Sequence, residues 1–146
     1  MLFVYQRVVE KSLRNVWLAI TDSSAVEVYL PGKASIKDAG DNTYRLSSKI
    51  SVGFLRPTVN IDVHLSRIVD QASVDIELTG QSMGASIRGA GTILVAAVDA
   101  RSTDLQIKAD VRASGLLNQV EDSKIKAVTK EFIDAYLSNV ETGLMN

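Results

Sequence analysis

The sequence predicts an α+β fold in which a curved antiparallel sheet of about seven strands closes around one long C-terminal helix. Two short helices follow the first strand. Residues 33–111 place apolar side chains at every second position, which is typical of strands with one buried face. Residues 116–140 place them at helical spacing instead. The apolar face of the sheet and the apolar stripe of the helix can therefore cover each other.

Composition limits the kind of protein this can be. With 146 residues, of which 46% are hydrophobic, the chain fits one domain spanning residues 1–146 that buries roughly two-thirds of its unfolded surface. Sixteen basic and seventeen acidic side chains give a net charge of −1 without a basic patch, so nucleic acid is not an expected partner. The lack of cysteine rules out disulfides and thiolate metal sites and favours a cytoplasmic location.

The N-terminal segment predicts a strand over residues 2–9, because it is rich in β-branched and aromatic residues and lacks the basic start of a signal peptide. Ser12 is then a suitable N-cap for a helix that carries Leu13, Val16, Trp17 and Ile20 on one face. We expect Trp17 to be a core residue. A second cap signal at residues 22–24 predicts a helix over residues 25–30, which Pro31 and Gly32 end.

Six further strands are predicted from the alternating pattern. They lie near residues 34–36, 44–52, 59–65, 74–78, 87–95 and 105–111, with turns at 39–42 and 80–84. Short connections of this kind favour antiparallel neighbours. No stretch approaches the ~18 uninterrupted apolar residues of a membrane-spanning helix, so any membrane contact is expected to be peripheral.

The final helix is predicted over residues 116–140, and its apolar stripe is interrupted near the N-terminal end by Glu121 and Lys124. Two interpretations stay open: the first turns overhang the sheet edge in water, or the two side chains are polar anchors at a cavity mouth. The expected stripe consists of Leu117, Val120, Ile125, Val128, Phe132, Ala135 and Tyr136.

Two stretches about ten residues apart, Val16-Trp17-Leu18-Ala19-Ile20-Thr21-Asp22 and Tyr29-Leu30-Pro31-Gly32, resemble a helix-and-turn pattern of the carbon monoxide dehydrogenase CoxG family. The likeness covers nearly the whole chain. Tyr5 departs from it, because relatives often carry glycine at that place in the first strand. The further matching motifs are Asp41-Asn42-Thr43-Tyr44, Val52-Gly53, Gly89-x-Gly91 and Ser114-Gly115-Leu116.

The resemblance implies membership of the START-like, or SRPBCC, superfamily and its helix-grip fold. It further implies a deep cavity between the sheet and the C-terminal helix, which the superfamily uses for sterols, lipids, polyketides and other apolar molecules. For CoxG relatives it implies an accessory role beside molybdenum hydroxylases, with membrane association and quinone handling suggested for some.

A catalytic or metal-binding set is not evident in the sequence. His64 is the sole histidine and falls on the polar face of its strand with Asp62, so a solvated side chain is the expected state. Gly89-x-Gly91 lies within a strand pattern, which favours a bulge or close packing over a dinucleotide site. We therefore expect neither a catalytic residue nor a cofactor nor a metal.

The sequence thus predicts a non-enzymatic binding or carrier protein for an apolar small molecule of the quinone or lipid type. Two alternatives remain open: an assembly factor that acts by protein contact, and a cyclase or hydratase for which Glu121, Lys124 and Tyr44 are the candidate residues. Phe54 and Met83 lie in predicted turns, where they could gate a cavity, contact a membrane surface or partner, or simply pack. The residues expected at the cavity and its mouth are Tyr29, Phe54, Met83, Leu117, Val120, Glu121, Lys124 and Val128.

Overall fold

The computed structural model describes residues 1–49, 56, 58–82, 84–115 and 120–143, and of Ser82 only the backbone. The order of elements is the predicted one, from a first strand through two helices and six strands to a last helix. The elements are β1 (Leu2–Val9), α1 (Leu13–Thr21), α2 (Ser23–Tyr29), β2 (Ser35–Gly40), β3 (Thr43–Lys49), β4 (Thr58–Val69), β5 (Ser73–Ser82), β6 (Ala85–Asp99), β7 (Ser102–Ala113) and α3 (Asp122–Thr142).

The described strands form one seven-stranded antiparallel sheet in the order β1-β7-β6-β5-β4-β3-β2. Strands from β2 to β7 lie beside their sequence neighbours, and β1 joins the sheet at β7, which leaves β1 and β2 as the edges. The β2–β3 hairpin turns at Asp41 and Asn42, whose φ angles of 52° and 55° suit Asp and Asn better than most side chains. The prediction of a turn there is confirmed.

The predicted turn over residues 80–84 is wrong at its start, because β5 continues to Ser82. Gly80 lies inside the strand, opposite Ile61 on one side and Ile87 on the other. A Cβ atom at Gly80 would lie 2.6 Å from the carbonyl oxygen of Asn60. Glycine at this position therefore permits a close approach of two strands and does not mark a turn.

Both short helices begin at the predicted caps. The Ser12 hydroxyl accepts a hydrogen bond from the backbone N–H of Asn15 at 3.3 Å, and the Asp22 carboxylate accepts one from Ser24 at 3.1 Å. Trp17 is buried, as predicted. It joins the main core, whose buried members are Phe3, Tyr5, Val9, Val16, Trp17, Val63, Leu65, Val74, Ile76, Val95, Leu105 and Leu137.

The last helix differs from its prediction in its start and in the face that it buries. It begins at Asp122, so that Glu121 is the N-cap residue and Leu116 and Leu117 lie outside the described residues. Ala135, which was expected in the apolar stripe, is exposed. The predicted stripe assumed a longer helix and ignored side-chain contacts of Asp134 with β1, described below, that set the rotation of the helix. The side chains that face the sheet are Ile125, Thr129, Ile133, Tyr136, Leu137 and Val140.

Among the described residues, no helix combines the length and the apolar character needed to cross a membrane.

Candidate ligand-binding site

A cavity of about 560 Å³ lies between the inner face of the sheet and α3. Its walls come from both ends of the chain, because β1, the central strands and α3 each contribute side chains. Most of them are aliphatic. The described lining residues are Met1, Phe3, Val59, Ile61, Ile76, Leu78, Ile87, Ile107, Ala109, Val111, Arg112, Ala113, Val120, Asp122, Ile125, Thr129 and Ile133.

Small residues on the inner face of the sheet leave the room for this cavity. Gly91 lies between Ile76 of β5 and Ala109 of β7, and Gly89 occupies the equivalent place one row further on. A Cβ atom at Gly91 would lie 2.3 Å from the carbonyl oxygen of Lys108 and 2.6 Å from the Cα atom of Ala109. Close strand packing, one of the two interpretations proposed for Gly89-x-Gly91, is therefore what the structure shows.

The cavity has a polar outer end and an apolar inner end. Asp122 and Arg112 are exposed at the outer end, near Val120, whereas the inner end reaches Ile133. Along α3 the eleven residues from Asp122 to Ile133 correspond to roughly 16 Å at ~1.5 Å per residue. A long and narrow molecule fits this shape better than a flat one.

Few polar atoms face the interior. Arg112 and Asp122 are the charged side chains of the described lining, and neither forms an ion pair with another described residue. Thr129 lies about midway along the α3 wall, and its hydroxyl donates a hydrogen bond to the carbonyl oxygen of Ile125 at 2.8 Å. Since that proton is engaged, the Thr129 oxygen can only accept a hydrogen bond from a ligand.

Beyond the inner end, a polar cluster fastens α3 to β1. The Tyr5 hydroxyl donates a hydrogen bond to the Asp134 carboxylate at 2.6 Å. The Arg7 guanidinium forms an ion pair with Glu141 at 2.5 Å, and the other carboxylate oxygen of Glu141 accepts a hydrogen bond from the backbone N–H of Glu10 at 2.9 Å. The C-terminal half of the helix is therefore held tightly, which closes this end of the cavity.

These contacts also shift the ionisation of the groups involved. Burial raises the pKa of Tyr5 to about 12, and the hydrogen bond to Asp134 adds to the rise. Hydrogen bonds from Lys130 and then from Tyr5 hold the pKa of Asp134 below its usual range. At neutral pH the pair therefore consists of a neutral phenol and an ionised carboxylate.

Two further tyrosines join the sheet and α3 to α1. Tyr136 donates a hydrogen bond to the carbonyl oxygen of Ala19 at 2.6 Å, and Tyr44 donates one to that of Ile20 at 3.4 Å. Burial raises the pKa of Tyr44 to about 12 and raises that of Tyr136 as well. The hydroxyl of Tyr44, a candidate for the enzymatic alternative, is thus a neutral donor to the backbone.

The structure places the predicted site residues at several different locations. Val120 lines the cavity. Glu121 and Lys124 are exposed at the start of α3, and Val128 is half-buried; none of these three is among the lining residues. Phe54, Met83 and Leu117 lie outside the described residues.

Tyr29, also predicted at the cavity, lies elsewhere. It is buried with Ala19 and Val140, and its ring packs edge to face on Tyr136 at a centroid distance of 6.3 Å. It lines a separate pocket of about 230 Å³ between α1, α2 and the end of α3. The role of Tyr29 visible here is to anchor α2 to α3.

Sequence reasoning did not select most of the lining residues of the cavity. Ile76, Leu78, Ile87 and Ile107 do lie on the predicted apolar face of the sheet, but alternation marks a face without showing which part of it is left uncovered. Arg112 lies on the polar side of its strand pattern, so alternation gives no sign that its long side chain reaches the cavity rim.

His64 is half-buried, and its Nδ1 atom lies 2.8 Å from the Thr43 hydroxyl. The neighbouring Asp62 pairs with Arg45 at 2.7 Å, and the hydrogen bond from this guanidinium holds the pKa of the carboxyl below its usual range. In the described part of the chain, no three His, Asp or Glu side chains are grouped closely enough to hold a metal ion.

A curved antiparallel sheet that holds a C-terminal helix over an apolar cavity defines the START-like class of ligand-binding folds. Within that class, the model of the CoxG family of carbon monoxide dehydrogenase subunits matches residues 6–145. The chain belongs to this family, and the resemblance drawn from its motifs is confirmed. Family and fold together suggest a ligand-binding or carrier role.

Solved structures confirm the fold at low sequence identity. A conserved protein from Geobacillus kaustophilus superposes with a TM-score of 0.85 at 14% identity, over 97% of this chain and 93% of that chain. A START superfamily protein from Mycobacterium smegmatis gives 0.67 at 14% identity, over 97% and 94%. The Zhui aromatase/cyclase from Streptomyces sp. R1128 gives 0.62 at 15% identity, over 97% and 92%. No curated protein matches the sequence significantly.

Proposed function

We propose that this protein is a non-enzymatic carrier that holds an apolar small molecule of the lipid or quinone type in the cavity under α3. The observation that carries the proposal is the cavity itself, with about 560 Å³ of space behind mostly aliphatic walls. Pockets for small molecules commonly span about 300–1,000 Å³ and combine apolar walls with a few polar groups. The cavity agrees with that description in both respects.

The energetic cost of an empty cavity supports a bound molecule. At ~24 cal/mol per Å³, a void of about 560 Å³ costs up to about 13 kcal/mol, comparable to the net stability of a whole domain. Water relieves this cost where it finds two to four polar partners, and the inner end, around Ile107 and Ile133, offers none from its side chains. An apolar ligand fills such a space more favourably.

The distribution of charge suggests how the ligand lies. Its apolar part occupies the inner end near Phe3 and Ile133, and its polar part lies at the outer end beside Arg112 and Asp122. The guanidinium offers several donors in a plane, while Asp122 and Thr129 offer acceptors. A polar group that both accepts and donates, such as a hydroxylated ring or a protonated acid, satisfies both sides.

The test begins with native mass spectrometry of the purified protein and of its organic extract. Binding of defined probes, decylubiquinone and palmitic acid, is then measured by calorimetry on the extracted protein. Thr129→Phe places a ring in the cavity and should weaken binding at least tenfold. Ala127→Phe adds the same ring on the exposed side of the helix and should leave binding unchanged.

Equal binding by the two variants would contradict a site in this cavity. Failure of the extracted wild-type protein to bind either probe, together with an extract free of lipids and quinones, would overturn the carrier function itself.

The cellular partner in this proposal is a molybdenum hydroxylase such as carbon monoxide dehydrogenase, and the carrier would act in the cytoplasm or in transient contact with a membrane surface. Membership of the CoxG family supports the association. Affinity capture with the purified hydroxylase subunits tests it. A lack of binding in both the ligand-loaded and the extracted state would refute this part of the proposal while leaving the carrier function intact.

A further inference from the structure

The first strand has one side that nothing in the described structure pairs. Met1 and Val111 exchange two backbone hydrogen bonds, at 2.9 and 2.8 Å. Because hydrogen-bonded pairs alternate along an antiparallel ladder, the odd-numbered residues of β1 bond to β7. The N–H and C=O groups of the even-numbered residues, Leu2, Val4, Gln6 and Val8, therefore point away from the sheet.

The side chains at these positions are uncharged and mostly apolar. The exposed fractions are 50% for Leu2, 64% for Val4 and 43% for Val8. Gln6 is neutral, and its amide bonds to the carboxylate of Asp104 on β7. Exposed aliphatic residues along a free strand edge are unusual in a protein that stays monomeric.

The opposite edge of the sheet is protected in the ways that natural edge strands usually are. β2 carries Lys37 and Asp38, its register shifts between Asp38 and Gly40, and α2 packs beside it. By contrast, β1 contains neither proline nor lysine, and its pairing with β7 runs without a shift from Leu2 to Val9. The two edges therefore differ in the features that prevent strand association.

We propose that β1 pairs antiparallel with β1 of a second copy of this chain about a two-fold axis, joining the two sheets into one. One register uses all four free positions: Leu2 lies opposite Val8 of the second copy, and Val4 lies opposite Gln6 of the second copy. Each opposed pair exchanges two bonds, which gives about eight new hydrogen bonds. The registers shifted by two residues leave free groups at both ends.

Side-chain matching selects the same register. On the outer face it brings Leu2 against Val8 twice, so that four exposed aliphatic side chains cover one another. The facing strands are identical, which makes the interface self-complementary and closed at two copies. Phe3 and Tyr5 keep pointing inward, so the cavity is unaffected and the dimer stands or falls independently of the carrier function.

Sedimentation equilibrium across a micromolar-to-millimolar concentration series tests the proposal. The wild-type protein should show the mass of two chains at the upper concentrations. Val4→Lys places a charge beside Gln6 of the second copy and should weaken the dimer at least tenfold. Val4→Thr, a matched β-branched control, should weaken it much less.

Hydrogen exchange supplies a readout that does not depend on the fold of a variant. In the wild-type protein the amides of Leu2, Val4, Gln6 and Val8 should become protected as the concentration rises. A single-chain mass at the highest concentration, a dimer equally stable in Val4→Lys, or exchange at these amides that is independent of concentration would each overturn the proposal.

Discussion

Tyr5 closes the inner end of the cavity, and its replacement gives the sharpest test of how this fold sets the depth of its cavity. The side chain is only 4% exposed, and its ring stacks beside that of Phe3 at a centroid distance of 6.4 Å. Its hydroxyl donates to Asp134 on α3. The ring and the hydroxyl can be removed separately, by Tyr5→Ala and Tyr5→Phe.

The expected costs follow from these two contributions. Tyr5→Phe removes a hydrogen bond to an ionised carboxylate, which is worth about 1.5–3 kcal/mol when buried. Asp134 is 37% exposed, so solvent reduces the cost to about 1 kcal/mol. Tyr5→Ala loses in addition a buried aromatic ring, which costs about 3–5 kcal/mol in well-packed cores. The total of about 4–6 kcal/mol is a large part of the stability of a domain.

Equilibrium unfolding in urea, with the slope compared between variants, measures both costs. If Tyr5→Phe destabilises the protein as much as Tyr5→Ala, or if neither changes the free energy of unfolding by more than about 0.5 kcal/mol, the assignment of Tyr5 as an end wall is refuted. A second readout follows from the proposed ligand. Tyr5→Ala should extend the cavity past Phe3 and improve the binding of longer alkyl chains relative to shorter ones, whereas Tyr5→Phe should not.

Two further outcomes are expected. The pKa of Asp134 lies below its ordinary 3.8 in the folded protein, so its ionised form stabilises the fold above that pH and the contribution is lost as the pH falls through the lower, folded value. The free-energy gap between wild type and Asp134→Asn in urea should therefore be about 1 kcal/mol or less at pH 7 and shrink below pH 4; a gap that widens in acid would contradict this. Gly91→Ala forces a Cβ atom to within 2.3 Å of the Lys108 carbonyl oxygen and should lower the melting temperature by roughly 6–10 °C in calorimetry. An unchanged melting temperature would show that β6 and β7 separate easily.

The predictions that held are those that depend on local patterns. Period-two alternation marked the strands, and Ser12 and Asp22 marked the starts of α1 and α2, because a cap and a strand face are decided within a few residues. The motif around Trp17 led to the CoxG family for the same reason, since a helix and the turn after it lie together in the sequence.

The start and rotation of α3 show where such patterns lose their force. A helical wheel drawn over residues 116–140 places Ala135 on the buried face, yet the structure exposes Ala135 and turns Asp134 towards β1. The reason is an interaction across 129 positions in sequence, from Tyr5 to Asp134, which outweighs the small preference of an alanine for burial.

The sequence by itself therefore determined the order of elements, the short caps and the family. The tertiary structure alone decided which part of the apolar face stays uncovered, and so where the cavity lies. Its walls combine Phe3, Ile76, Ala109 and Ile133, which meet only after β1 has joined β7 and α3 has been fastened at Tyr5 and Arg7. A cavity is a property of the gap between such elements, and periodicity within any one of them carries no measure of that gap.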